Sequence, residues 1–365
     1  MRMKNGAKIF IVALLMTGLI IAFGCAKAQK KPLANPDTTP KNAQQARNTY
    51  KPHVTAFYVE PGSEGSFASL QRYYKHIDMF SPLWLTVKAD GSIKDMTDKT
   101  ALEFAKKKGL KVIPLVNVAN SNDIVLTTPE IRDKTIINLV QLLKTHDFDG
   151  YNIDFEFIPK GTKNYVHDKD LLTKFMSILR EKMKPMGKTL NMSVIPHFEV
   201  STDVSGIYDY TALAPLVDVV TLMLYDRHQA SSPPGPVSPL KWADTNIRTT
   251  MDQGFKREQI CVGVATYGYD WPVAKGGGYS RPTKEILREA SQKGIDVKWS
   301  EEFHEPYYVY RDPDTGGNRE VWFESSQTIK EKIDLVDKYK LHGICIWRLG
   351  FETPSFWKVI GEKIK

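Results

Sequence analysis

Eight short apolar segments recur along the chain, and helical patterns separate most of them. The segments lie at about residues 53–58, 78–88, 111–118, 150–156, 190–197, 217–225, 259–267 and 342–348. The amphipathic helical patterns lie at about residues 66–75, 98–109, 129–145, 168–186, 240–254 and 326–340. Strands that alternate with helices predict a parallel sheet, and eight such units predict a (β/α)8 TIM barrel. An open doubly wound sheet is the alternative, but no glycine-rich phosphate loop follows the first segment.

One of these segments, residues 149–156, alternates apolar and polar residues in the order Asp-Gly-Tyr-Asn-Ile-Asp-Phe-Glu. Successive side chains of a strand point to opposite faces, so Asn152, Asp154 and Glu156 share one face, which would be the barrel lumen. Two carboxyl groups so close cannot both ionise freely, and one should have a raised pKa, as a general acid requires. Both acids stand at the C-terminal end of the segment, where barrel enzymes have their active sites, which argues against a hydrated surface strand.

The ends of other predicted strands carry side chains that suit a sugar. Tyr225 and Asp226 end the sixth strand on the predicted lumen side, and Trp347 ends the eighth on the same side. Apolar faces of a sugar stack on aromatic rings, and its hydroxyl groups bind carboxylates and tyrosine hydroxyls. We therefore predict a saccharide cleft, and its substrate-binding residues are Tyr58, Asn152, Met223, Asp226, Tyr267, Trp271 and Trp347.

The connection after the seventh predicted strand is too long for a simple crossover. About 55 residues separate it from the helical pattern at 326, and they are rich in aromatic and turn-forming residues. Residues 307–310 and 320–323 have the pattern of strands, and the turn formers at 312–317 join them into a hairpin. We predict a small α+β insertion at about 272–324 that rises beside the C-terminal mouth of the barrel and walls one side of the cleft.

The N-terminus predicts export. Basic residues precede an apolar run over residues 9–23, which is too short for a membrane span and typical of a signal peptide. Residues 22–25 resemble a bacterial lipoprotein cleavage box, and we favour a lipidated Cys25 that anchors the protein to a membrane in the cell envelope. Cleavage after Ala28 by ordinary signal peptidase, which would give a secreted protein, is the alternative.

The net charge of +8 is unevenly distributed. Residues 1–52 hold nine basic residues and one acidic residue, so the remainder carries 41 of each. The balanced remainder has no general electrostatic attraction to nucleic acid, and we expect no nucleic-acid partner. We predict a signal peptide at 1–24, a disordered basic tether at 25–52 and a monomeric barrel at 53–365.

Two cysteines, Cys261 and Cys345, remain within the predicted barrel. Both stand in apolar runs with the pattern of strands, so we expect packed free thiols. Their number and spacing fit neither a metal site nor a disulfide framework.

Together these motifs resemble glycoside hydrolase family 18, the chitinase-like barrels. Residues 149–156 are similar to the family signature D-x-x-D-x-D-x-E, in which Asp149 and Gly150 hold structural positions and the last slot is the acid. Asn152 departs from the signature, because many members have Asp there. An Asn can hydrogen-bond Asp154, but it cannot take up the charge or the proton of that residue.

Other segments extend the resemblance over about residues 53–363. Met223-x-Tyr225-Asp226 is similar to the strand-six motif of the family, and Trp347 is similar to its strand-eight tryptophan. Residues 233–237 (Pro-Pro-Gly-Pro-Val) and 347–350 (Trp-Arg-Leu-Gly) are similar to the bacterial branch that acts in spore germination and cortex lysis.

The resemblance implies substrate-assisted catalysis that retains the configuration of the sugar. Glu156 would protonate the glycosidic oxygen, and the 2-acetamido carbonyl of the sugar would attack C1. Asp154 would orient the acetamido N–H, Tyr225 would bind its carbonyl, and Trp347 would floor the subsite. The implied catalytic residues are thus Glu156, Asp154 and Tyr225, and no metal or cofactor takes part.

The expected function is cleavage of β-1,4 bonds in a polysaccharide that contains N-acetylhexosamine, either peptidoglycan or a chitin-like polymer. One alternative is a lectin that binds sugar on the same barrel without catalysis. Another is an endo-β-N-acetylglucosaminidase that acts on N-linked glycans and shares every catalytic residue.

Overall fold

The structure, a computed structural model, describes residues 50–59, 65–119, 123–156, 165–273 and 277–364. The predicted signal peptide, the predicted lipidation site Cys25 and all but the last three residues of the predicted tether lie outside these ranges. Within the ranges, no helix combines the length and the apolar character needed to cross a bilayer.

The described residues form fifteen strands and eleven α-helices. The strands are β1 His53–Tyr58, β2 Met79–Val87, β3 Ile93–Asp95, β4 Lys111–Val112, β5 Leu115–Val118, β6 Gly150–Asp154, β7 Thr189–Val194, β8 Val219–Leu222, β9 Ile260–Ala265, β10 Tyr267–Pro272, β11 Tyr279–Pro282, β12 Lys298–Ser300, β13 Glu305–Arg311, β14 Asn318–Phe323 and β15 Gly343–Trp347. The helices are α1 Ser66–Tyr73, α2 Lys99–Lys107, α3 Ile124–Thr127, α4 Pro129–His146, α5 Tyr165–Met183, α6 Thr202–Ser205, α7 Tyr210–Leu213, α8 Leu240–Asp252, α9 Thr283–Gln292, α10 Ser326–Tyr339 and α11 Pro354–Lys363.

Eight parallel strands close into a barrel. Their order is β1, β2, β5, β6, β7, β8, β9 and β15, and β1 pairs with both β2 and β15. The predicted (β/α)8 barrel is confirmed, and the open-sheet alternative is wrong. The third predicted strand is divided into β4 and β5, because Pro114 between them lacks the N–H that a strand donates. The six predicted helices correspond to α1, α2, α4, α5, α8 and α10.

A repeated aspartate contact sets the register at the N-terminal ends of three strands. Asp149 stands one residue before β6, and its Oδ2 accepts from Val112 N at 2.8 Å. Asp78 before β2 and Asp218 before β8 accept in the same way from the neighbouring strand, each at 2.9 Å. At Gly150, a Cβ would lie 2.0 Å from the Thr189 carbonyl oxygen, so only glycine allows this approach of the strands. Asp149 and Gly150 thus contact the backbone of neighbouring strands at the N-terminal end of β6.

A disulfide between Cys261 and Cys345 lies in the barrel lumen. Their Cα atoms are 5.9 Å apart, and both side chains are buried beside Phe57 and Leu115. The prediction of free thiols is therefore wrong. The two cysteines stand on the adjacent strands β9 and β15 with inward-facing side chains, and the strand register brings them together across 84 residues of sequence.

The insertion is a second, antiparallel sheet with the order β11, β10, β14, β13, β12. The predicted hairpin is confirmed, because β13 pairs with β14 and Tyr307 lies opposite Trp322. The sheet begins at Tyr267, directly after β9, so residues 267–271 belong to it and do not extend a barrel strand. Buried Glu305 attaches the sheet to the loop that follows β8, since its carboxylate accepts from Val237 N at 2.8 Å and Ser238 N at 3.0 Å.

Candidate active site

A cavity of about 600 Å³ opens at the C-terminal ends of the barrel strands. Six predicted site residues line it, namely Asp154, Glu156, Met223, Tyr225, Asp226 and Trp347. The cavity has the size of a small-molecule site, and its lining combines aromatic rings with carboxyl groups. These six side chains from different strand ends therefore meet in one cavity, as the sequence pattern predicted.

The two acids of residues 149–156 stand together in this cavity. Burial raises the pKa of Asp154 well above its usual range, and the charge of Glu156 adds to the shift. Glu156 is exposed to the open cleft, but protein surrounds it elsewhere. This partial burial is the larger cause of the raised pKa of Glu156, and the charge of Asp226 is the second cause. Within the described residues, Asp154 Oδ1 has no hydrogen-bond partner. A carboxyl group that keeps its proton towards neutral pH can act as a general acid.

Asp226 is held from behind by two tyrosines. Tyr267 Oη donates to Asp226 Oδ1 at 2.6 Å, and Tyr269 Oη donates to the same atom at 3.0 Å. Asp226 is exposed to the cavity, but protein surrounds it elsewhere, and this partial loss of contact with water raises its pKa, although the two hydrogen bonds act in the opposite direction. The predicted substrate contact of Tyr267 is thus corrected, because this nearly buried residue lies outside the cavity lining and uses its hydroxyl to orient Asp226.

Tyr225 supplies a neutral hydroxyl donor near all three carboxyl groups. Burial raises its pKa well above the usual range, and the charges of Asp154, Asp226 and Glu156 raise it further. Gly263 on β9 makes room for the ring, since a Cβ there would lie 3.1 Å from Tyr225 Cε1. A phenol that stays protonated can donate to a carbonyl oxygen of a ligand.

Trp347 forms an aromatic wall at the end of β15. Its ring packs edge-on against Phe57 with centroids 5.5 Å apart, and its peptide bond to Arg348 is cis. Thr266 holds this segment, because its N–H donates to Trp347 O at 2.9 Å and its Oγ1 accepts from Arg348 N at 2.9 Å. The indole therefore has a fixed place beside the carboxyl groups.

Asn152 lies below the cavity and contacts it through a serine. Its Nδ2 donates to Ser193 Oγ at 2.7 Å, and both side chains are buried. Ser193 lines the cavity, whereas Asn152 does not, so the predicted substrate contact of Asn152 is replaced by an indirect one. The sequence offered a signal for Ser193, because Thr189, Asn191 and Ser193 alternate with apolar residues along β7.

Two predicted site residues are misplaced. Tyr58 is fully buried on the outer face of β1, where its hydroxyl donates to Asp98 Oδ2 at 3.0 Å, and the adjacent Phe57 lines the cavity. Trp271 is fully buried, and its Nε1 donates to Gln229 O at 3.1 Å. The error at Tyr58 follows from strand alternation, because neighbouring residues of a strand point to opposite faces, and Phe57 occupies the inner one. The departure of β10 from the barrel explains the error at Trp271.

Loop residues complete the cavity, and sequence reasoning missed them. The loop after β7 contributes Glu199, and the loop after β8 contributes Arg227. Buried Tyr208 is a further neighbour of the two acids, and its hydroxyl donates to Phe155 O at 3.2 Å. Burial raises the pKa of Tyr208, and the charges of Glu156 and Asp154 raise it further. Among the described residues, no three His, Cys, Asp or Glu side chains form a group that could hold a metal ion.

Comparison with known proteins identifies the family. The model of glycosyl hydrolases family 18 matches residues 42–352. YdhD of Bacillus subtilis (strain 168), whose name describes a sporulation-specific glycosylase, is 28% identical over 346 residues, which cover 89% of this chain and 80% of YdhD. The cortical fragment-lytic enzyme of Bacillus anthracis is 24% identical over 291 residues, which cover 75% of this chain and 65% of that enzyme.

Solved structures share the fold. A chitinase from Chromobacterium violaceum ATCC 12472 has a TM-score of 0.77 at 24% identity, and the match covers 86% of this chain and 98% of the chitinase. The spore cortex-lytic enzyme SleL of Bacillus megaterium QM B1551 has a TM-score of 0.75 at 21% identity, covering 87% of this chain and 75% of SleL. Because the family model matches most of the chain, the protein belongs to glycosyl hydrolases family 18 and is a glycoside hydrolase.

Proposed function

We propose that the enzyme cleaves β-1,4 bonds in a polymer that contains N-acetylhexosamine, either peptidoglycan or a chitin-like chain. The observation that carries this proposal is the group formed by Asp154, Glu156, Tyr225 and Trp347 in one open cavity. It combines an acid of raised pKa, a second carboxyl group, a hydroxyl donor and an aromatic wall. The names of the relatives, which include cortex-lytic enzymes and chitinases, point to the same substrate class.

The mechanism that we propose retains the configuration at C1 and uses the substrate as nucleophile. Glu156 gives its proton to the glycosidic oxygen, and the 2-acetamido oxygen attacks C1 as the bond between C1 and that oxygen breaks. The leaving sugar departs with a free hydroxyl group, and an oxazolinium ion remains. Asp154 binds the acetamido N–H and offsets its developing positive charge, and Tyr225 donates to the carbonyl. Glu156 then removes a proton from water, which opens the oxazolinium ion. The presence of the acid Glu156 in the open cavity favours catalysis over sugar binding alone.

The acetamido group tests this mechanism. We expect that chitin oligomers are hydrolysed and that matched glucose oligomers, which lack the 2-acetamido group, are not hydrolysed at a useful rate. Cyclic thiazoline analogues of N-acetylglucosamine should inhibit, because they mimic the oxazolinium ion. Assays with purified peptidoglycan, chitin oligomers and an N-glycosylated protein, with products identified by mass, would identify the polymer. An ester on Asp154 or Asp226 after treatment with 2-fluoro sugars would contradict substrate assistance.

We also propose that the enzyme acts outside the cytoplasm. The buried Cys261–Cys345 disulfide supports this location, since stable disulfides are typical of oxidising compartments. If Cys25 carries the lipid anchor, Cys25→Ser should leave the precursor unprocessed or release the enzyme from the membrane fraction. Fractionation and N-terminal sequencing would check this, and a mature N-terminus at Gln29 would contradict the lipoprotein proposal.

A further inference from the structure

An ion pair spans the mouth of the cavity. Arg227, in the loop after β8, donates from Nη2 to Glu199 Oε2, in the loop after β7, at 3.3 Å. The Arg227 side chain is 33% exposed and the Glu199 side chain is 53% exposed. Solvent-exposed ion pairs of this kind contribute little to stability, so Glu199 does not prevent a carboxylate of a ligand from binding the same guanidinium group.

Arg227 has the single positive charge among the described residues that line the cavity. The same lining contains four carboxyl groups, those of Asp154, Glu156, Glu199 and Asp226. An anionic group of a ligand therefore has one favourable position at the cavity, beside the guanidinium group.

The backbone of Arg227 is anchored, while its guanidinium group faces solvent. Arg227 N donates to Val237 O at 2.9 Å, and Val237 N donates to the buried Glu305 of the insertion sheet at 2.8 Å. A guanidinium group offers a planar pair of donors that matches the two oxygens of a carboxylate, and Glu199 accepts from Nη2 alone. The geometry leaves donors for a second, bidentate partner.

We propose that Arg227 is a specificity-determining residue that binds a carboxylate of the glycan and so favours carboxylate-bearing strands over neutral ones. The inference depends on the proposed function, because it requires a glycan of N-acetylhexosamine in the cavity of Asp154 and Glu156. The lactyl ether of a peptidoglycan strand supplies such a carboxylate when no peptide is attached, and stem peptides supply others.

The test compares the binding of matched strands to the full-length protein, with Glu156→Gln present to prevent turnover. The strands are a peptide-free peptidoglycan strand, the same strand after conversion of its carboxylates to amides, and a peptide-bearing strand. We expect the carboxylate form of the peptide-free strand to bind about tenfold more tightly than the amide form by calorimetry, which is about 1.4 kcal/mol. Preference for the peptide-bearing strand alone would assign the Arg227 contact to peptide carboxylates.

Arg227→Gln should reduce this ratio to about one, and Arg227→Lys should leave an intermediate ratio because it keeps the charge but loses the planar donors. Arg248→Gln, on the exposed face of α8, is the matched control and should keep the original ratio. Equal binding of all three strands when Arg227 is present would overturn the inference, as would an equal loss on the carboxylate and amide strands with Arg227→Gln. If the unsubstituted enzyme hydrolysed neither these strands nor chitin oligomers while the binding preference persisted, that result would contradict the proposed function and leave the inference on Arg227 intact.

Discussion

Glu156→Gln is expected to lower kcat for chitin oligomers by roughly 10³-fold and to leave the dissociation constant for the same oligomers nearly unchanged. The amide keeps the shape of the side chain but cannot donate the proton, and general acids contribute about 10² to 10⁴ to the rate. The raised pKa of Glu156 also predicts that hydrolysis by the unsubstituted enzyme decreases as the pH rises through that pKa, because the acid must begin the reaction protonated. Steady-state kinetics and calorimetry would measure both effects.

A matched substitution controls for the loss of a carboxylate in general. Glu103→Gln, on the exposed surface of α2, should leave kcat and the pH profile unchanged. Turnover by Glu156→Gln within about tenfold of the original value would remove Glu156 from the role of general acid. Loss of oligomer binding together with turnover would instead indicate a damaged cavity.

Replacement of both Cys261 and Cys345 by alanine is expected to lower the free energy of unfolding by roughly 4.5 kcal/mol. The disulfide closes 84 residues of chain, and in the chain-entropy model a loop of that length restricts the unfolded state by about this amount. Urea denaturation of the two proteins would measure the difference.

Reduction provides the control for this second effect. The original protein, unfolded and refolded with a reductant, should approach the stability of the double variant, since both then lack the covalent closure. Equal stability of the oxidised protein and the double variant would contradict the prediction and would show that the bond restrains the unfolded chain little.

Much of the fold was predictable because its signals are periodic. The alternation over residues 149–156 predicted that Asp154 and Glu156 share one face, and both line the cavity. In β1 the same rule gave no answer, because Phe57 and Tyr58 are both aromatic and nothing in the sequence distinguishes the inner face from the outer one. Side chains of a strand can be assigned to a site only when the two faces of the strand differ in polarity.

The parts of the site that were missed depend on the path of the chain in three dimensions. Glu199 and Arg227 lie in loops without periodicity, and their ion pair joins segments that follow different strands. The insertion was predicted to begin at about residue 272, whereas the backbone leaves the barrel at Thr266 and the insertion sheet begins at Tyr267. The disulfide likewise depends on the faces to which Cys261 and Cys345 point. The uniformly apolar strand β9 has no alternation that would mark Cys261 as inward-facing.

The position of the disulfide has a consequence for proteolysis. The insertion sheet lies between Cys261 and Cys345 in the sequence, and its turn at residues 313–318 is exposed, as sites of proteolytic nicking usually are. A single cut in that turn would divide the polypeptide into two fragments that stay covalently linked within the barrel. The fragment that carries Trp347 would therefore remain attached to the fragment that carries Asp154 and Tyr225, so a nicked enzyme keeps every part of its cavity in one molecule.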